Sequence, residues 1–226
     1  RNGSYLPAVN GATGSGLATK RAFDAFDPAD PRRGMSIFKP GDTFAPNVSA
    51  ALTTFSAVWS ATGYAVKKGM WPIMYVNASG INYPIIRYAD VLLMYAEAAN
   101  EAWGPLATGG NAHSAYDIIK AIRARAGVGT TNGDAYLESI KGDKDAMRIL
   151  IKNERRIELA FEGFRFWDLR RWNANLSEPV TGVSISQSTY NVINVENRSF
   201  QEFMRFGPIP YSEILKYNAL QQNTGW

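Results

Sequence analysis

The stretch Asp143–Trp172, DKDAMRILIKNERRIELAFEGFRFWDLRRW, is both densely charged and strongly apolar, and no other part of the chain combines the two to this degree. Met147, Leu150, Ile151, Ile157, Leu159, Ala160 and Phe161 recur at helical spacing. Asp143 or Asp145 suits the N-cap, and Gly163 breaks or bends the segment. A second short helix, Phe164–Trp172, then carries Arg165, Asp168, Arg170 and Arg171. Glu154, Glu158 and Glu162 stand at i, i+4 and i+8, which places three carboxylates about one turn apart on one helix face. Like charges in a row need cations among them. Arg155 precedes Glu158 by three residues, Arg165 follows Glu162 by three, and Arg165 can pair with Asp168. The spacing predicts a structural ion-pair network of Glu154, Arg155, Glu158, Glu162, Arg165 and Asp168 that locks two helices at a fixed angle. Buried apolar residues supply most of the stability, at roughly 1.5–3 kcal/mol per large side chain. The charges set register and orientation.

The same carboxylates admit a catalytic reading. Paired Glu or Asp residues flanking a glycosidic bond are the machinery of most glycoside hydrolases. Glu154, Glu158 or Glu162 would then be the acid and the nucleophile or base. Such a pair must face opposite sides of a sugar ring in a cleft. Adjacent turns of one arginine-rich helix do not offer that, so the structural reading is preferred.

Composition bounds the alternatives. The chain has 226 residues, 46% hydrophobic and 19% charged, which fits one or two globular domains with a sizeable core. A net charge of +4 from 24 basic and 20 acidic residues is too mild and too evenly mixed for nucleic acid. There is no Cys and a single His, which excludes a disulfide scaffold and leaves no basis for a His-rich or Cys-based metal site. His113 lies in a glycine-rich linker and reads as solvated. Six Trp, eleven Tyr and eleven Phe suit stacking on sugars or other flat ligands as well as core packing. Thr43–Val66 carries no charge, but its Pro46, Asn47, Gly63 and many hydroxyl residues make it a poor membrane span. With no initiating Met and no signal peptide at Arg1, the chain reads as a fragment that lacks an N-terminal part.

Along the chain, 1–80 is loop-rich, with a turn cluster at Asp27–Gly34 and short extended pieces at Met35–Phe38, Tyr64–Lys68 and Trp71–Tyr75. Asn82–Trp103 reads as a helix with Pro84 in its first turn and a broad apolar stripe. Ala112–Ala126 follows as an antiparallel partner that Gly127 stops. Asp134–Lys141 is a short helix, and 134–172 makes a second helix pair. Asn173–Glu202 is polar and irregular, with Tyr190–Val195 extended, and Phe203–Pro210 is extended around its prolines.

Several separated motifs resemble, in order, the C-terminal portion of the SusD/RagB family of outer-membrane nutrient-binding lipoproteins. They are Asp27–Arg33, Thr62-Gly63-Tyr64 with Lys67-Lys68, Ile85 through Ala98, and Ile122 through Gly127. The densest runs from Glu154-Arg155-Arg156 through Glu162-Gly163-Phe164-Arg165 to Asp168–Trp172, and Pro208-Ile209-Pro210 with Asn223–Trp226 completes the set. The resemblance implies a mainly α fold: tetratricopeptide-like helix hairpins packed against long irregular loops with little β structure. Residues 1–80 would then be a loop-rich region on the ligand-binding face. Residues 81–226 would be the helical region, with helix pairs 82–126 and 134–172 and an irregular tail 173–226. The resemblance further implies a non-catalytic protein without cofactor, which binds a glycan or other nutrient at the cell surface. It would deliver the ligand to a SusC-like TonB-dependent transporter and meet the membrane only through an N-terminal lipid anchor outside this chain. Trp59, Phe44 and Trp71 are the loop aromatics best suited to stack on a sugar. Burial against the helices is the competing role for each. A helical-repeat scaffold that binds only protein through 82–126 is the remaining alternative.

Overall fold

The computed structural model describes residues 17–44, 53–69, 84–186, 189–217 and 219–226. Two short helices, α1 (Lys20–Asp24) and α2 (Pro31–Ser36), precede four two-residue strands. These are β1 (Ile37–Phe38), β2 (Thr43–Phe44), β3 (Thr53–Thr54) and β4 (Ala65–Val66). The helical part follows as α3 (Tyr88–Trp103), α4 (Ala115–Arg125), α5 (Ala135–Ile140), α6 (Lys144–Glu158) and α7 (Phe164–Arg171). A hairpin, β5 (Val180–Ser186) and β6 (Thr189–Glu196), and a final helix, α8 (Tyr211–Lys216), complete the order. This is the mainly α fold that the sequence predicted, with small sheets.

One apolar core unites the long helices. Leu93, Ala96 and Ala99 of α3 meet Ile118, Ile119 and Ile122 of α4, Leu137 of α5, and Met147, Leu150 and Ile151 of α6. Helix α3 is central and packs on both α4 and α6. Its small buried residues, Ala96 and Ala99, let both neighbours approach closely. A second core joins the irregular segments to this layer. Ala18, Phe26, Ile37, Tyr64 and Val66 close around Ile157 of α6 and Val183 of β5. Strand β1 pairs antiparallel with β4, as β2 does with β3, so the N-terminal region holds itself with minimal ladders.

Several boundaries differ from the sequence reading, each for a local reason. Helix α3 starts at Tyr88, not Asn82, because Arg87 is extended (φ −134°, ψ 159°) and its guanidinium is committed elsewhere. Pro84 therefore lies outside the helix, and Ile85 and Ile86 are exposed rather than part of the buried stripe. Helix α4 starts at Ala115, not Ala112, because Ser114 and Asp117 form a reciprocal capping box. Asp143 caps α6 by accepting from the backbone N–H of Asp145 and Ala146 at 2.9 and 3.0 Å. Helix α6 ends at Glu158, and Phe161 takes a left-handed φ of 64°. Glu162 thus sits in the turn before Gly163 (φ 89°), so only two of the three carboxylates share the helix face.

The stretch read as irregular contains the β5–β6 hairpin, in register from Thr181 opposite Asn194 to Ser186 opposite Thr189. Ser186-Gln187-Ser188-Thr189 carries none of the Asn-Gly or Asp-Gly signals that mark such turns. Glu202–Arg205 is a 3-10 turn, not extended chain. Trp71–Tyr75 lies outside the described residues. Among the described residues, no helix is long and apolar enough to cross a membrane.

Candidate functional site

The charged side chains of α6 form a buried junction that ties the irregular N-terminal segments to the helices. Glu154 is fully buried and accepts from Arg32 of α2 at 2.5 Å and from Arg123 of α4 at 3.3 Å. Glu158, one turn on, accepts from Arg32 at 3.0 Å, Arg87 at 2.9 Å and Arg125 at 2.5 Å. Glu162 accepts from Arg87 Nε at 2.6 Å and meets Lys68 Nζ at 2.5 Å. Lys68 also donates to the Glu158 carbonyl at 2.6 Å. Asp30 caps α2 and holds the Arg32 fork at 2.7 Å, and Asp134 does the same for Arg123 at 2.5 Å. Cations from four separate segments therefore converge on the carboxylates of α6 and of the turn after it.

The electrostatics follow from burial set against pairing. Burial opposes the charge on Arg32, but the hydrogen bonds and charges of Asp30 and Glu154 outweigh it and raise the guanidinium above its usual range. Burial also pushes the Glu158 carboxyl up, yet Arg87, Arg32 and Arg125 together hold it below the ordinary value. At Glu154 burial wins, and the carboxyl lies above its usual range despite Arg32 and Arg123.

A second arm orients α7. Arg155, itself buried, donates to Asp90 of α3 at 3.0 Å and to Asp168 of α7 at 3.2 Å. Arg171 bridges Asp168 at 2.8 Å and Glu97 of α3 at 2.6 and 2.7 Å, and the Trp172 indole N–H adds a bond to Glu97 at 2.7 Å.

The local pairings expected along the sequence are replaced by distant ones. Arg155 pairs with Asp90 and Asp168, not with Glu158. Arg87 and Asp90, three residues apart, turn to different partners: Arg87 to Glu158 and Glu162, Asp90 to Arg155. Arg165 makes no ion pair among the described residues, and its guanidinium lies over the Trp172 ring at 5.9 Å. Arg32, Lys68, Arg87, Arg123 and Arg125 are junction residues that no local spacing announces. The glutamates they reach, Glu154, Glu158 and Glu162, lie 31 to 126 residues away.

The glycoside hydrolase alternative requires carboxylates that face an open cleft. Each of Glu154, Glu158 and Glu162 is instead engaged by guanidinium or ammonium groups. Among the described residues no group of three or more His, Asp or Glu side chains is placed to hold a metal ion. His113 is exposed, as its linker position suggested.

Of the aromatics singled out for ligand binding, Trp59 is half-buried in the 3-10 turn Ala57–Trp59 and meets Phe55 edge-on at 6.0 Å. Phe55 belongs to a small core with Phe38 and Ala65, so Trp59 is carried on a packed base at the margin of the loops. The Phe44 side chain and Trp71 lie outside the described residues.

Two cavities lie near the junction's flanking elements. One, of about 460 Å³, is lined by Phe23, Pro28–Pro31, Arg33, Gly34, Lys39, Asp42, Thr43 and Lys67 among others. The other, of about 510 Å³, lies between α1, the α6–α7 turn and the chain leading into β5. Neither is lined by Glu154, Glu158 or Glu162.

Helix hairpins that clamp irregular segments through a buried ion-pair junction define a tetratricopeptide-like scaffold presenting loops. The model of the SusD family matches residues 11–226, and the chain belongs to that family. The chain is 31% identical over 160 residues to SusD-like protein P2 of Formosa agariphila, covering 67% of this chain and 30% of that protein. It is 33% identical over 106 residues to SusD-like protein P38 of the same organism, covering 46% of this chain and 20% of that protein. A SusD-like protein of Bacteroides fragilis superposes with a TM-score of 0.76 at 25% identity, covering 97% of this chain and 49% of that one. The surface glycan-binding protein A of Bacteroides uniformis shares the fold, with a TM-score of 0.57 at 18% identity over 98% of this chain and 46% of that one. The matched region thus spans about half of the solved chains and less than a third of these curated relatives.

Proposed function

We propose that this protein binds a glycan nutrient at the cell surface without chemical turnover and delivers it to a SusC-like, TonB-dependent outer-membrane transporter. Membership of the SusD family over residues 11–226 carries this reading. The geometry supports it: the acidic residues that a hydrolase would need are spent on holding helices and loops together, which leaves recognition to the loops. In this reading residues 1–80 contribute to the ligand-binding face, with Trp59, Phe44 and Trp71 stacking on sugar rings. Residues 81–226 form the supporting helical region, and a lipid anchor outside the chain holds the protein at the outer membrane. Titration of the full-length protein against a panel of oligosaccharides, with affinity purification of any transporter, tests it. Binding of at least one glycan with no release of reducing ends is expected. Failure to bind any glycan, or turnover abolished by Glu158→Gln, would overturn it.

One observation favours a protein-binding role alongside this one. Tyr88, Val91 and Met94 are exposed along α3, at 76%, 45% and 47%. Such an apolar stripe suits a macromolecular contact, and the transporter itself would satisfy both readings.

A further inference from the structure

The cavity between α1, the α6–α7 turn and the approach to β5 gathers more cations than anions. It is lined by four arginines, Arg21, Arg156, Arg165 and Arg198, against one carboxylate, Glu178, which pairs with Arg21. Elsewhere the buried or half-buried guanidinium groups of Arg32, Arg87, Arg123 and Arg155 each hold a carboxylate. Arg156 and Arg165 are also half-buried, yet among the described residues neither has an ion pair. Arg156 donates instead to the Arg21 carbonyl at 2.6 Å. Burial, reinforced by the charges of Arg165 and Arg21, lowers the Arg156 guanidinium to about 10. Burial lowers Arg165 as well, the nearby Asp168 charge opposing it. Asp168 is already engaged by Arg155 and Arg171. Two desolvated cations thus face one cavity with no carboxylate paired to either, beside an apolar wall that includes Phe161, Phe166 and Leu169. The volume of about 510 Å³ lies in the range of small-molecule sites, not of flat protein contacts.

We infer that this cavity is a subsite for an anionic substituent, a carboxylate or sulfate ester, carried by a sugar residue of the bound glycan. A guanidinium fork matches both groups in geometry, and an apolar wall suits the hydrophobic face of a pyranose. The subsite rests on the glycan-binding reading above and adds to it a preference for acidic over neutral ligands.

The test is calorimetric titration of the full-length protein with an oligogalacturonide, a sulfated galactan oligosaccharide and a neutral galactan oligosaccharide, with an aspartate-rich peptide as a fourth probe. At least one of the two acidic sugars should bind about tenfold or more tightly than the neutral one, as a charge-assisted hydrogen bond would give. Which of the two is preferred separates carboxylate from sulfate. Arg165→Gln and the rim substitution Arg198→Gln should each erode that preference and leave neutral binding unchanged. Arg165→Lys should restore part of it. If Arg165→Gln does not fold, Arg198→Gln and Arg165→Lys decide the question alone. Neutral and acidic sugars binding equally would overturn the subsite and spare glycan binding. Binding of none would overturn both. Binding of the peptide alone, lost on Arg198→Gln, would assign the cavity to a protein partner and overturn the proposal.

Discussion

Arg32 and Glu154 are separated by 122 residues of sequence and by 2.5 Å in space, with Nη1 of the arginine donating to Oε1 of a fully buried carboxylate. This contact joins the loop-rich N-terminal region to the central helix layer. Asp30 holds the other edge of the same guanidinium at 2.7 Å, so Arg32 arrives oriented.

Removing Arg32 should therefore cost far more than a surface pair would. Arg32→Ala leaves the buried Glu154 and Asp30 short of a cation, and about 3–5 kcal/mol of stability should be lost. Urea unfolding followed by circular dichroism measures it. A loss below about 1 kcal/mol, the range of exposed pairs, would show the junction to be dispensable.

A backbone crossing should be as sensitive. The Val183 N–H donates to the Thr62 carbonyl at 2.8 Å, and Gly63 and Gly182 lie on either side of this contact. A Cβ at Gly182 would stand 2.6 Å from Thr62 Cα, and one at Gly63, where φ is +71°, 2.3 Å from the Val183 carbonyl oxygen. Gly182→Ala and Gly63→Ala should each destabilise by about 1–3 kcal/mol or more. Gly142→Ala, where no atom lies within 4 Å, is the control and should be near neutral. Thermal melts of the three variants compare them directly.

Acid should release the junction. Burial pushes Glu158 and Glu97 up, but Arg87, Arg32 and Arg125 on one, and Arg171 and Trp172 on the other, hold both below the ordinary carboxylate value. Below that value the unfolded chain binds protons that the folded chain does not, so stability falls as pH drops through the folded-state values. It is fully present above the ordinary carboxylate range. Glu154, raised by burial, acts in the opposite sense and gains relative stability as pH falls. Stability measured from pH 7 to pH 3 should decline below about pH 4.5, and Glu97→Gln should flatten the decline. Glu154→Gln should not flatten it. An unchanged slope in Glu97→Gln would contradict the assignment.

Ligand affinity should depend on the loop aromatics and not on the junction. Trp59→Ala and Trp71→Ala should each weaken glycan binding by about tenfold or more, the scale of an aromatic anchor. Glu162→Gln should leave affinity close to that of the parent. Intrinsic tryptophan fluorescence during titration reads both. Equal affinity in all three variants would remove the aromatics from the site.

Local sequence signals were enough to specify the helical layer. Apolar residues at three and four spacing on α3, α4 and α6, the Asp143 cap, and Gly163 as the break before α7 are local signals, and the chain obeys them. Ion pairing as such was legible, because three glutamates so close together demand cations. Which cations answer depends on how distant segments pack. Helix α6 stops at Glu158, Phe161 turns the chain, and arginines from α2, α4 and the approach to α3 reach carboxylates that their neighbours in sequence leave open. The same holds for the hairpin, whose inner face is fixed by Val183 meeting Ile37, Tyr64 and Ile157 rather than by a turn motif. Periodicity is a property of adjacent residues, whereas the choice of partner for a buried charge is a property of whichever chain segments the core brings together.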